Sequence, residues 1–155
     1  MVPLIVLAVS FLIFRLAGLE VAHFADWQNA LRAALGAMFL VTASAHWGRR
    51  RPDLIRMVPR AFGDGGKWVT LTGVAEVLIA FGLQIPKAAI PVAAMAVIML
   101  ACIFPANAKA AREGLTIAGR PVPGLGVRLG IQAVFVLALT AAAWPGLGSV
   151  WPQGR

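Results

Sequence analysis

Cysteine is almost absent from this chain: Cys102 is the only one in 155 residues. An intramolecular disulfide, a C-x-x-C pair and a cysteine-pair metal site are thereby excluded, and with them a thiol–disulfide relay contained in the chain itself. Histidine is nearly as scarce, with only His23 and His46. Acidic residues number six against fourteen basic ones, for a net charge of +8, and all charged residues together make up 13%. A soluble domain carries about a quarter. With 60% hydrophobic residues, a soluble fold of this size could not hide its apolar surface, so the excess must face lipid. Also missing are a phosphate-cradling glycine loop followed by Lys and Ser or Thr, an H-E-x-x-H and a G-x-S-x-G. Any chemistry must therefore be borne by a bound cofactor or a partner, and no metal site is expected.

What is present is five long apolar stretches, over residues 3–19, 30–47, 68–85, 88–104 and 127–144. Each falls in or at the short edge of the roughly 17 to 25 residues that a spanning helix needs. The expected fold is an all-α integral membrane protein with five transmembrane helices. An N-terminal helix and outer loop occupy 1–26, a four-helix core 27–146 and a short tail 147–155. A cleaved signal peptide is the competing account of the first stretch, but it lacks a basic n-region and carries Arg15 within its apolar run.

The charges orient the bundle. Between the second and third stretches lie Arg49, Arg50, Arg51, Arg56, Arg60 and Lys67; between the fourth and fifth lie Lys109, Arg112, Arg120 and Arg128. These are ten of the fourteen basic residues. They sit in short connections flanking spans, which is where topology requires them and which argues against nucleic acid as a partner. The opposite connections hold Glu20, Asp26 and Arg32, or Lys87 alone. The bias puts the N-terminus in the cytoplasm and the C-terminus outside. Trp27, Trp47, Trp68, Trp144 and Trp151 fall at or beyond segment ends, as interfacial anchors do. Pro91 sits in a first helical turn, whereas Pro105 removes the amide that would bond the Ala101 carbonyl and should bend its helix, which continues until Gly114.

Arginines alternate with Leu54, Ile55, Met57 and Val58 in the first basic connection, a pattern suited to a short interfacial helix. Arg49, Arg50, Arg51, Arg56 and Arg60 would then meet anionic lipid at about 1 kcal/mol each, unless they serve only as topogenic charge. Gly119 with Pro121 and Pro123 predicts a structured loop or tight hairpin over 116–124. Ala33 and Ala37 with Gly36, then Gly73, then Ala89, Ala93 and Ala96 permit close helix approach. Phe39, Phe81, Phe104 and Phe135 are candidates to line an apolar slot, or are ordinary filling.

Polar residues at membrane depth are the candidate site. Glu76 lies about 12 Å along its helix from Trp68, near mid-membrane. A carboxyl there either carries its proton or faces the bundle and meets a cation or hydrogen-bond donors. Arg15 is the first candidate partner, about 6 Å away in depth, unless it snorkels towards Glu20. Thr42 and His46 share a helix face, Ser44 lies beside them, Asn107 follows Pro105, and Arg128 and Gln132 share a face of the last helix. In the expected topology all of these end at one level and line a pocket open to the cytoplasm. A bis-histidine haem held by this chain alone is geometrically implausible, because His23 lies in the outer connection.

The blocks Met38-Phe39-Leu40-Val41-Thr42-Ala43-Ser44-Ala45-His46-Trp47, Asp53-Leu54-Ile55-Arg56-Met57-Val58-Pro59, Leu71-Thr72-Gly73-Val74-Ala75-Glu76 and Phe104-Pro105-Ala106-Asn107, with Gly114-Leu115-Thr116 beyond, resemble the bacterial DoxX-like family. The likeness covers about residues 31–142, with the first segment as an added helix. It implies a four-helix bundle similar in architecture to the vitamin K epoxide reductase and EXPERA groups, in a bacterial inner membrane. Loosely, it also implies membrane redox systems, although the missing cysteine pair departs from the thiol-relay relatives. The leading expectation is a membrane subunit of a redox system holding a quinone or similar lipidic carrier. Glu76 and His46 would be its proton-active groups, Arg15 would fix the charge of Glu76, and Thr42, Asn107 and Gln132 would be further ligand-binding candidates. The chain would not act as an enzyme in isolation. The alternatives are a non-catalytic lipid-binding or scaffold protein and, more weakly, a small transporter. The candidate partners are the bilayer, a redox subunit and a second copy of the chain.

Overall fold

The computed structural model describes residues 1–144; the expected tail over 147–155, the anchor Trp151 and the placement of the C-terminus lie outside them. The chain forms the helices α1 (Val2–Ala17), α2 (Ala22–Ala25), α3 (Trp27–Ser44), α4 (Arg51–Met57), α5 (Gly65–Gly82), α6 (Ala89–Arg112) and α7 (Leu125–Ala143), with short 3-10 turns at Arg60–Phe62 and Pro86–Ala88. The only strands among the described residues are β1 (Thr116–Ile117) and β2 (Arg120–Pro121), paired antiparallel.

Local chemistry sets most of these boundaries. Asp26 caps α3 by accepting from the Gln28 amide at 2.7 Å, and Asp64 caps α5 by accepting from the amides of Gly66 and Lys67. Each carboxylate satisfies donors that the first helical turn leaves unpaired. Helix α4 carries Pro52 and Asp53 in its first turn and Arg56 in its last, and stops at Val58, just ahead of Pro59. Helix α6 runs through Pro105 and closes with Gly114 at φ 61°, where the Leu115 amide donates to the Ala110 carbonyl at 3.0 Å. That is a Schellman closure, for which glycine is the least strained residue.

Helix α3 is central. It packs against α1, α5 and α7, while α6 packs against α7 and α5. The core is built from Ala34, Leu35, Met38 and Phe39 of α3, Ile79, Ala80 and Leu83 of α5, Ala93, Ala96 and Leu100 of α6, and Phe135, Leu139 and Ala142 of α7; Leu7 of α1 joins it. The buried alanines of α3 are Ala30, Ala34 and Ala43, whereas Ala33 and Ala37 are only half-buried. The expected close packing of small residues differs only at these two positions, since Gly36, Gly73, Ala89, Ala93 and Ala96 are buried. Phe81 is 62% exposed, so the four-phenylalanine slot does not form.

At one end of the bundle, α3 closes α7. Gln28 Nε2 donates to the Ala141 and Trp144 carbonyls, and Arg32 Nε donates to the Ala142 carbonyl at 2.8 Å. At the other end the two basic connections meet. Lys109 of α6 donates to the Arg56 and Val58 carbonyls at the end of α4, and Asp53 of α4 accepts from the Ala118 amide at 2.8 Å. Ala118 and Gly119 form the hairpin turn at φ 52° and 74°. Asp53 thus anchors a turn whose first residue is a strained alanine, and the expected tight hairpin is present. Helix α4 buries Met57 and half-buries Leu54, Ile55 and Val58, so it packs as part of the fold rather than only lying on a surface.

The architecture is therefore all-helical apart from one small hairpin. Among the described residues two helical segments, Pro86–Arg112 and Leu125–Ala143, are long and apolar enough to cross a membrane, not five. The difference has a simple cause. Helix α1 has 16 residues, while α3 and α5 are diluted at their starts by Trp27, Gln28, Asn29 and Arg32 and by Gly65, Gly66 and Lys67.

Candidate functional site

Along α5, Val69, Gly73, Glu76 and Ala80 are buried on the face turned to α3 and the core. This spacing of three and four residues keeps one helix face together. It brings Glu76 opposite the turn that follows α3, where His46 is buried. His46 Nδ1 lies 3.6 Å from Glu76 Oε2 and 3.2 Å from the Thr42 carbonyl oxygen. A carbonyl can only accept, so a hydrogen bond to Thr42 requires the hydrogen on Nδ1. That leaves Nε2 as the ring atom able to accept or take up a second proton. The glutamate is the less satisfied partner. Its Oε2 is fully buried and has no hydrogen-bond partner, the one such side-chain atom among the described residues, and 3.6 Å is beyond a normal hydrogen bond. The Thr42 hydroxyl beside it donates to the Phe39 carbonyl at 3.0 Å.

Two further residues make this approach possible. A methyl group on Gly73 would stand 2.7 Å from His46 Cβ, 2.9 Å from its Cγ and 3.0 Å from Trp47 Cη2, so only glycine admits the imidazole at this depth. Arg51, the first residue of α4, donates from Nη1 to the His46 carbonyl at 2.8 Å, and from Nη2 to the Gly66 carbonyl and the Thr70 hydroxyl at 3.1 and 3.0 Å. The guanidinium thereby ties the histidine turn to the first turns of α5.

Other expected site residues are placed elsewhere. Arg15 does not meet Glu76: it donates from Nη1 to the Phe24 and Ala25 carbonyls at 3.0 and 2.7 Å. The reason is topological, since α1 packs on α3 and not on α5, and equal depth along two helices says nothing about which faces meet. The single polar pocket expected at one level is split. Asn107 Oδ1 accepts from Arg128 Nη1 at 2.6 Å, and Gln132 donates to the Leu100 carbonyl at 3.1 Å, next to the Ala101 carbonyl that Pro105 leaves without its amide donor. These residues join α6 to α7, whereas Thr42, His46 and Glu76 join α3 to α5. Ser44 bonds only the Val41 carbonyl of its own helix and is exposed. Of the arginines expected to meet lipid, Arg51 is half-buried and bonds the His46 turn and α5, Arg56 is exposed and pairs with Asp53, and Arg49, Arg50 and Arg60 are exposed. Sequence reasoning missed the clamp formed by Arg51. Gly73, one turn before Glu76, was the available signal for the close approach.

Residues 35–144 match a domain of unknown function, DUF8561. The chain belongs to the DUF8561 family. This corrects the DoxX-like resemblance, which rested on short blocks such as 38–47 and 71–76, whose mix of small and large residues meets packing demands common to small helical bundles. No curated protein and no solved structure matches the chain. The part that matches DUF8561 contains His46, Arg51, Gly73 and Glu76, and leaves α1 outside.

Proposed function

We propose that this DUF8561 protein is a polytopic inner-membrane protein whose His46–Glu76 pair handles protons for a lipidic electron carrier of the quinone type. The membrane part is supported by the distribution of apolar surface. Only 22% and 17% of the two longest apolar windows are buried within the fold, whereas a core helix of a soluble protein would be mostly covered. Large apolar residues also face outward on the other long helices: Ile5, Leu12 and Leu16 on α1, Leu40 and Val41 on α3, and Leu71, Leu78 and Phe81 on α5. Five helices crossing or embedded in the bilayer, with α1 and α3 at the short limit, account for this surface. Both basic connections gather at the α4 end of the bundle, the cytoplasmic side under the positive-inside bias.

The observation that carries the functional reading is the orphaned Oε2 of Glu76 held 3.6 Å from an imidazole. A buried acceptor without a donor is costly, of the order of 1–3 kcal/mol, and such a cost points to a role beyond packing. When protonated, Glu76 can donate to a quinone carbonyl; when ionised, it can accept from a quinol hydroxyl. Reduction of a quinone takes up two electrons, here from a partner subunit, and two protons, for which Glu76 Oε2 and His46 Nε2 are the two exchangeable positions.

The test is extraction in polymer-bounded native discs, with mass spectrometry of the bound small molecules. A stoichiometric quinone in the wild type, lost in Glu76→Gln, is the expected result. Bulk lipid alone, or a co-purifying protein without quinone, would overturn the redox assignment.

A further inference from the structure

A second site lies on another side of α5. Between α4 and the first half of α5 runs a shallow, largely open groove of about 550 Å³, with Arg51, Asp64, Lys67 and Thr70 at its polar end and Leu71 and Val74 at the other. Lys67, Thr70, Leu71 and Val74 follow one another at three- and four-residue spacing, so the groove passes from charged to apolar over about 10 Å of helix.

The charges at the polar end do not cancel. The three acceptors of Arg51 are all neutral oxygens, so its positive charge has no carboxylate against it. The Lys67 side chain is 86% exposed and stands 4.0 Å from Oδ2 of Asp64, the one acid lining the groove among the described residues, whose Oδ1 caps α5. The net charge at that end is positive. At the apolar end, Leu71 and Val74 are 58% and 44% exposed.

We propose that this groove holds an anionic phospholipid, its phosphate against Lys67 and Arg51 and the start of an acyl chain along Leu71 and Val74. A soluble phosphate would use only the polar end and leave the apolar wall uncovered, so the lipid is the better complement. The inference rests on the membrane part of the reading above and is independent of the quinone assignment.

The experiment is native mass spectrometry of the detergent-purified chain, titrated with phosphatidylglycerol or with phosphatidylcholine of the same acyl chains. Arg51 is left intact because it also holds His46. One phosphatidylglycerol is expected to bind in preference to phosphatidylcholine. Lys67→Gln should weaken it about fivefold, the loss of one basic contact at an anionic headgroup. Leu71→Trp, which fills the apolar end, should displace it, while Arg49→Gln with Arg50→Gln, outside the groove, should leave it in place. Equal binding of the two lipids, an equal loss in the Arg49 and Arg50 variant, or displacement by glycerophosphate lacking acyl chains would each overturn the proposal. A chain that is washed from membranes and stays soluble without detergent removes the membrane reading and this site together; an integrated chain with no lipid preference removes this site alone.

Discussion

Replacing Gly73 by alanine tests how closely the histidine turn and α5 depend on each other. The new methyl carbon would lie 2.7 Å from His46 Cβ, about 0.7 Å short of ordinary van der Waals contact. The atom it strikes is next to the backbone, so a side-chain rotation cannot relieve the clash, and Trp47 blocks a sideways escape at 3.0 Å. Overpacking of this kind costs about 1–3 kcal/mol, against a gain of about 1 kcal/mol from removing glycine from a helix interior. The balance is a loss of roughly 1 kcal/mol, or a retreat of the turn that widens the 3.6 Å gap between Nδ1 and Oε2. Thermal unfolding in detergent gives the first quantity. A titration of the His46 ring signals, with Gly130→Ala as control because nothing lies within 4 Å of a Cβ there, reports the second. A Gly73→Ala protein as stable as the wild type, with an unchanged His46 titration, would refute the claim that this glycine makes room for the imidazole.

Two further predictions concern the ends of the bundle. The Ala118 amide, and after it Arg56, hold the Asp53 carboxyl below the usual carboxylate range. A group with a depressed native pKa contributes in full above its unfolded value and loses that contribution as pH falls through the native one; protection of the Ala118 amide, its exchange relative to the intrinsic rate at the same pH, should therefore hold at neutral pH and fall in acid below about pH 4. Asp53→Asn should remove this change in protection, and a wild-type protection with no such break would refute the latch. At the other end, Gln28→Ala leaves the Ala141 and Trp144 carbonyls without their donor and should cost about 1–3 kcal/mol in denaturant unfolding; an unchanged midpoint would show that these bonds are replaced at no cost.

The placement of the long helices was legible because hydropathy is a property of a segment and needs no knowledge of its neighbours. The hairpin over 116–124 was legible for the same reason, being local, whereas the caps at Asp26 and Asp64 went unread although they too are local. Partnership was not. Arg15 and Glu76 have similar depths, but α1 docks on α3, so depth alone selected the wrong cation. His46 was recognisable as a polar residue near a helix end. Its pairing with Glu76 depends on Gly73 and on the Arg51 clamp, which act on it across 27 and five residues of sequence through contacts no periodicity encodes. Five stretches read as spans, while two of the described helices meet the length and hydropathy of a crossing, because a stretch can be apolar enough to invite the reading while its helix is a turn short, as in α1, or polar at one end, as in α3 and α5.

The distribution of size and polarity gives the membrane reading its physical logic. Small side chains such as Ala30, Ala34, Ala80, Ala93, Ala96 and Ala142 are buried between helices, while larger ones such as Leu12, Leu78, Met95, Ile98 and Leu137 face out. In water this arrangement wastes the apolar area that should drive the fold. In lipid, helix association gains nothing from hiding leucine and depends on close approach and on hydrogen bonds between helices. The second requirement is met by side chains that reach backbone carbonyls of other segments: Gln28 and Arg32 on α7, Gln84 on Arg32 of α3, and Gln132 on α6. Against a structure that satisfies its polar groups so consistently, the unpartnered Oε2 of Glu76 stands apart, and it is the first atom to follow when a ligand is sought.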